Sequence, residues 1–193
     1  MAAGSGSRFG EKKQFKLLGG TALYFYSLNQ FLHCEDINEV ILVVPESRVA
    51  DIKKEIANIK KTKKILVVSG GLRRQDSVKN GMLSVSNKSH LVCIHDGARP
   101  FVSEKLIKQS IIACSNNDGA IVANPNFDTL KTCKKGYVKK TIDRNNVWMA
   151  QTPQVFWKIK LLDAIAISEK KNMEVTDESS MMESLGYKVS IVR

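Results

Sequence analysis

Apolar residues along this chain fall into two alternating spacings. Short unbroken runs at 40–44, 65–68, 91–94 and 120–123 consist almost entirely of Val, Ile, Leu and Ala, the pattern of strands buried on both faces. Between them the apolar positions recur every three or four residues. Val49, Ile52, Ile56 and Ile59 do so within 47–59, and Leu106, Ile107, Ile111 and Cys114 do so after Ser103. This spacing predicts amphipathic helices, the second one capped by the Ser103 hydroxyl. Residues 21–32 and 74–85 predict two more. Strands alternating with helices of this length make the fold class α/β, a mostly parallel sheet with helices on both faces. In such sheets ligands bind beyond the carboxyl ends of the strands. Gly70-Gly71 follows one strand, and His95-Asp96-Gly97-Ala98-Arg99-Pro100 follows another.

From 125 to 146 the alternation stops. Thr129-Leu130-Lys131-Thr132 and the run Tyr137-Val138-Lys139-Lys140-Thr141-Ile142 flank a Lys-Lys-Gly turn at 134–136, which predicts a hairpin. A two-stranded arm is marginal alone, so this β-arm, about 124–147, is expected to pack on a partner subunit. Helical spacing resumes over 157–167. Thr176 is expected to cap a last helix carrying Met181, Met182 and Leu185 and ending at Gly186.

Composition narrows the classes. At 193 residues with 43% apolar content, the chain is expected to be a single packed domain over 1–193. No run approaches the roughly 20 apolar residues needed to cross a bilayer, and the first eight residues lack the apolar core of a signal peptide. Cys34, Cys93, Cys114 and Cys133 form no Cys-x-x-Cys pair, which argues against a zinc site and for reduced thiols in a cytoplasmic compartment. The net charge of +11 raises nucleic acid as a partner. The lysines, however, are scattered in short pairs such as Lys12-Lys13, Lys63-Lys64 and Lys139-Lys140. Neither nucleic acid nor a membrane is expected, and the charge suits a small polyanionic substrate.

Four segments carry candidate chemistry. Ala2-Ala3-Gly4-Ser5-Gly6-Ser7-Arg8, followed by Lys13, is a glycine loop whose backbone N–H groups could cradle phosphate while Arg8 and Lys13 counter its charge. A flexible tail is the plainer reading, and no Walker Gly-Lys-Ser or Gly-Lys-Thr follows. Asp96 either caps a turn or holds a hard cation such as Mg²⁺ that bridges phosphates. His95 beside it suits packing or hydrogen bonding better than proton transfer. Asp143-Arg144, with Trp148, Gln151, Thr152, Pro153 and Gln154, offers a guanidinium fork for phosphate or simply a solvated arginine. Thr176-Asp177-Glu178 reads first as a helix cap.

Taken in order, these segments resemble the 2-C-methyl-D-erythritol 4-phosphate cytidylyltransferase family of the non-mevalonate isoprenoid route. The likeness runs through Ala2-Ala3-Gly4-x-Gly6-x-Arg8, Lys13-Gln14-Phe15, Gly70-Gly71-x-x-Arg74-x-x-Ser77-Val78 and His95-Asp96-x-Ala98-Arg99-Pro100. It continues through Asp128-Thr129, Asp143-Arg144-x-x-x-Trp148, Gln151-Thr152-Pro153-Gln154 and Thr176-Asp177-Glu178. The resemblance implies a Rossmann-like homodimer with the arm exchanged between subunits, taking CTP and methylerythritol phosphate as substrates and Mg²⁺ as the divalent cation. It implies that Ala2, Ala3, Gly4, Gly6, Gly71 and Ser77 bind the nucleotide and that Asp96 lies near ribose and metal. Arg8, Lys13 and Arg144 are then the expected catalytic residues, with Thr129, Arg144, Thr152 and Thr176 on the substrate side.

Two alternatives belong beside it. Ribitol 5-phosphate cytidylyltransferases share the order of blocks but tend to carry Ala-Gly-Gly in the first loop and to lack Asp-Arg-x-x-x-Trp. A catalytically inactive nucleotide-binding domain is the other. Family members begin with a buried strand before the glycine loop and continue into an Asn-x-Lys-x-Thr segment, so the 193 residues are expected to be a fragment of a longer chain. A plastid-type compartment replaces the cytoplasm if the source is eukaryotic.

Overall fold

The apolar runs become strands and the periodic stretches become helices in the computed structural model, which describes residues 1–4, 10–57, 59 and 63–193. In chain order the elements are β1 (Leu17–Leu18), β2 (Thr21–Ala22), α1 (Leu23–His33), β3 (Glu39–Val44), α2 (Val49–Ala57), β4 (Lys64–Ser69) and α3 (Arg74–Met82). Then come β5 (Leu91–Ile94), α4 (Glu104–Ser115), β6 (Gly119–Pro125), β7 (Leu130–Lys134), β8 (Tyr137–Ile142), β9 (Trp148–Trp157), α5 (Lys158–Lys170), α6 (Glu178–Ser184) and β10 (Val189–Val192). None of the helices is long and apolar enough to cross a membrane, among the described residues.

β3 pairs in parallel with β4, and the other large sheet runs β10-β6-β9-β5. Residues 1 and 2 join the two. The Met1 amine donates to the His95 carbonyl at 2.6 Å, Gly97 N–H donates to Met1 O at 2.6 Å, and Ala2 N–H donates to Val43 O at 2.7 Å. The two bonds on the β5 side make the parallel ladder pattern, and the single bond to Val43 joins β3 on the other side. The order is therefore β4-β3-(1–2)-β5-β9-β6-β10, with β9 alone reversed. The mostly parallel α/β sheet expected from the sequence is what forms.

Short of this bridge, β3 and β5 diverge around a cavity of about 350 Å³ lined by Ile41, Leu91 and Cys93 among others. Backbone groups alternate along a strand. Gly70 N–H bonds Val44 O and Lys158 N–H bonds His90 O, so the even residues of β3 and β5 face β4 and β9. Ile41 and Cys93 consequently point their N–H groups at the cavity.

The two faces fill as the alternation dictates. Leu42 and Val44 pack with Tyr24, Leu28, Ile52 and Ile56 of α1 and α2, and Ile107 of α4 lies with Phe31 on that side. Ile94, Ile121 and Phe156 face Met82, Leu161 and Met182 from α3, α5 and α6. Phe156 is fully buried, and a Cβ at Gly119 would lie 2.5 Å from its ring, so only glycine fits opposite it. Burial of each such side chain contributes roughly 1.5–3 kcal/mol.

Strands β1, β2 and β10 were not read from the sequence, and three further departures bear on the site. β9 is a ten-residue strand that the polar Gln-Thr-Pro-Gln stretch conceals. Between Ile121↔Gln154 and Ala123↔Ala150 it advances four residues while β6 advances two, so Gln151, Thr152 and Pro153 form a bulge that leaves the ladder. The cap of α6 is Asp177, whose carboxylate accepts from Ser180 N–H, rather than Thr176. The helix read over 74–85 closes at Met82, just after Gly81, whose missing side chain lets Val43 of β3 approach. The arm forms as expected, with Lys135 and Gly136 both at positive φ, the geometry of a tight hairpin turn.

Candidate functional site

The site lies where the parallel strands end. Gln14, buried, donates its side-chain amide to the carbonyls of Ala2 and Gly4, each at 2.9 Å. That pins the described start of the glycine loop. Gly70 lies between Ala3 and Ser77. A Cβ there would be 2.4 Å from Ala3 Cβ and 2.8 Å from Ser77 Oγ. Gly71 N–H donates to Ser77 Oγ at 3.0 Å, which turns the chain into α3. The sequence reading named Gly71; the close approach falls on Gly70 as well.

Asp96 follows β5 and is held from three directions. Its N–H donates to Thr152 Oγ1 at 3.1 Å, on the β9 bulge. Thr152 in turn meets His95 Nδ1 at 3.0 Å, while His95 Nε2 meets Arg99 O at 3.0 Å. A carbonyl only accepts, so Nε2 carries the proton and Nδ1 accepts from the Thr152 hydroxyl. The Asp96 carboxylate receives Arg74 Nη1 on Oδ1 at 2.7 Å and Arg99 Nε on Oδ2 at 3.2 Å. Arg74 Nη2 also reaches Glu178 Oε2 at 2.8 Å.

Electrostatics follow from this geometry. Burial alone would lift the Asp96 carboxyl, yet Arg74 and Arg99 hold it below the usual carboxylate range. Burial likewise opposes the charge on Arg74, and Glu178 with Asp96 outweighs it and raises the guanidinium. For Glu178 burial dominates over Arg74, and its carboxyl is raised. Burial pushes the His95 ring down to about 4 from 6.5, so it stays neutral near pH 7. The unfolded chain therefore binds more protons than the folded one between those pH values. Stability is expected to fall as pH drops from about 6.5 toward 4, by roughly 2–3 kcal/mol. Denaturant melts of His95→Asn, which has no titrating ring, are expected to lack that loss.

The structure thus brings Ala2, Ala3, Gly4, Gly71, Ser77, Asp96 and Thr152 to one end of the sheet. Lys13 sits in the short 3-10 turn Lys13–Phe15 beside the pinning Gln14. Thr176 is exposed just ahead of α6. Thr129 and Arg144 are exposed at the base of the arm, where Arg144 Nη1 donates to Phe127 O. Gly6 and Arg8 lie outside the described residues. Arg74, Arg99, Gln14 and Glu178 were not assigned as site residues from sequence. One signal was available: a cation in the first turn of a helix opposes the helix dipole, so Arg74 required a carboxylate partner.

Among the described residues no group of three or more His, Cys, Asp or Glu side chains could hold a metal ion. Asp96 supplies one carboxylate, and both its oxygens carry guanidinium groups. Mg²⁺ is commonly held by one or two carboxylates plus substrate phosphates and water. These residues fit a cation that arrives with a polyphosphate and not one that stays resident.

The comparisons with known proteins agree along the whole chain. The family described as "IspD: 2-C-methyl-D-erythritol 4-phosphate cytidylyltransferase" matches residues 1–193. The 2-C-methyl-D-erythritol 4-phosphate cytidylyltransferase of Syntrophus aciditrophicus is 37% identical over 195 residues, covering 99% of this chain and 83% of the relative. That of Aquifex aeolicus is 39% identical over 192 residues, covering 100% and 84%. The crystal structure of 4-diphosphocytidyl-2C-methyl-D-erythritol synthase from Anaerococcus prevotii superposes with a TM-score of 0.86 at 33% identity, covering 99% of this chain and 83% of that one.

Proposed function

The chain belongs to the 2-C-methyl-D-erythritol 4-phosphate cytidylyltransferase family, and on that premise we propose that it joins CTP and 2-C-methyl-D-erythritol 4-phosphate. The products are 4-diphosphocytidyl-2-C-methyl-D-erythritol and pyrophosphate. The observation that supports carrying this activity to particular residues is the convergence of the 2–4 loop, Gly70-Gly71 and Asp96 at one sheet end.

In this reading the substrate phosphate attacks the α-phosphorus of CTP in line. A new P–O bond forms as the bond to the β-phosphate oxygen breaks, and that electron pair leaves with pyrophosphate. The attacking phosphate is already ionised, so no base is required, in keeping with a buried neutral His95. Two anions must meet, and catalysis is chiefly positioning and charge neutralisation. Ala2, Ala3, Gly4, Gly6, Gly71 and Ser77 take the cytidine end, and Arg8 and Lys13 counter charge at the α-phosphorus. Asp96 would hold Mg²⁺ arriving with the triphosphate, and the ion would supply further neutralisation of the phosphates. Thr129, Arg144 and Thr176 take the methylerythritol phosphate. Thr152, whose hydroxyl already serves Asp96 and His95, acts from behind by fixing the Asp96 backbone.

CTP labelled on the α-phosphorus should pass its label to the organic product, and γ-labelled CTP should pass its label to pyrophosphate. A γ-label in the organic product would mean phosphoryl transfer and would sink the reading. Gly70→Ala supplies a second check. Its methyl would meet Ala3 Cβ and Ser77 Oγ, neither a flexible side-chain end, and overpacking of this kind costs about 1–3 kcal/mol. CTP affinity by calorimetry is expected to fall about tenfold.

The arm supports a homodimer within this reading. Phe127, Tyr137 and Val138 are 71%, 78% and 65% exposed, and an isolated two-stranded ribbon does not hold such surface in water. A second copy of the chain covers it and receives Arg144 and Thr129. With its bacterial relatives, we place the enzyme in the cytoplasm.

A further inference from the structure

We propose that Arg74 and Glu178 form the positioning device for Asp96, fixing which carboxylate oxygen remains exchangeable when a divalent cation arrives with CTP. The proposal rests on the reading of Asp96 given above. Three elements far apart in sequence meet here: the first residue of α3, the first residue of α6, and the turn after β5. One planar guanidinium spans two carboxylates, Nη1 to Asp96 Oδ1 at 2.7 Å and Nη2 to Glu178 Oε2 at 2.8 Å. A lysine ammonium cannot reproduce this fork.

Glu178 is 1% exposed, and among the described residues Arg74 is its one ion-pair partner. A carboxylate buried that deeply is costly without a counterion, so Glu178 and Arg74 hold each other. The position of Glu178 is set independently of the pair. Gln154 on β9 donates to Asp177 Oδ2 at 2.8 Å and accepts from Ser179 N–H at 3.2 Å. The start of α6 is thereby tied to the sheet on both sides of Glu178, and Glu178 aims the far arm of the Arg74 fork.

The near arm then commits Oδ1 of Asp96. Oδ2 receives Arg99 Nε, at 3.2 Å and from a more exposed side chain than that of Arg74. Thr152 fixes the Asp96 backbone and Arg74 Nη1 holds one carboxylate oxygen, and together they orient the other. Oδ2 is the oxygen that a cation reaches, and Arg74 with Glu178 keeps it there. A plain staple between α3 and α6 would use the same two contacts but would leave cation binding unaffected.

The test follows Mn²⁺, as a paramagnetic probe, by electron paramagnetic resonance with CTP present, on the intact chain. Wild type, Glu178→Gln, Arg74→Gln and Arg74→Lys are compared, with folding checked by circular dichroism. The expected result is Mn²⁺ affinity in the CTP complex lowered roughly 10–100-fold in all three variants, as when a partner that orients a metal ligand is lost. Arg74→Lys is expected not to rescue. In turnover assays the apparent metal constant should rise while kcat at saturating metal and KM for methylerythritol phosphate change little. Folded Glu178→Gln and Arg74→Lys proteins with wild-type Mn²⁺ affinity would overturn the proposal and leave the reading of Asp96 standing. Wild type that binds no Mn²⁺ with CTP would remove that reading and the proposal together.

Discussion

Lys13→Ala is expected to lower turnover by at least about a hundredfold while CTP binding changes far less. The reaction brings a phosphate monoester against a triphosphate, so the transition state gathers charge that neither substrate carries at that point. A preorganised cation aimed there stabilises the transition state above the ground state, and losing one such group costs about 3–4 kcal/mol, two to three decades in rate. Lys13 is suited to this by its mounting. It occupies a 3-10 turn whose next residue, Gln14, is buried and bonded to the Ala2 and Gly4 carbonyls. Its backbone is therefore fixed relative to the glycine loop, and little reorganisation is needed during reaction. Single-turnover rates at saturating CTP measure the effect. Near-normal turnover in Lys13→Ala would withdraw the role given to it.

The second large effect concerns the arm. Arg144→Ala alone is expected to lose most activity, because a guanidinium fork on a phosphate is not replaced by solvent. If the arm of one subunit completes the site of the other, inactive Lys13→Ala and Arg144→Ala proteins should complement each other after mixing and subunit exchange. Half of the resulting dimers are mixed, and each mixed dimer has one site with both residues intact. Activity should therefore recover to roughly a quarter of wild type, by the statistics of a two-fold dimer. The exposed apolar residues of the arm, Tyr137 and Val138 foremost, are the surface through which this exchange is expected. Absence of any recovery, with mixed dimers demonstrated by mass, would place Arg144 in its own subunit's site.

Much of this was legible in the chain because period and turn chemistry are local. The strand read at 91–94 is β5 to the residue, and Ser103 caps α4 through Leu106 N–H as its position indicates. Local cues failed where two residues compete or where tertiary structure overrides. Thr176 and Asp177 are both good caps, and the choice falls to Asp177 because Ser180 answers it as the third helical residue. Strand β9 hides because its bulge spends Gln151 and Thr152 on Arg99 and Asp96 rather than on a ladder. The Arg99 contact to Asp96 is local, but the Arg74–Glu178 half of the clamp could not be paired from sequence: those two residues are 104 positions apart. The motif blocks marked Asp96 as chemistry, but only the fold says which side chains hold it.

The central claim is a cytidylyl transfer specific for one sugar alcohol phosphate. Pyrophosphate release from CTP and Mg²⁺, with 2-C-methyl-D-erythritol 4-phosphate and ribitol 5-phosphate offered separately, tests it most directly. Release with the first and none with the second is the expected result. Release with ribitol 5-phosphate, or silence with both substrates from protein verified as folded, would contradict it.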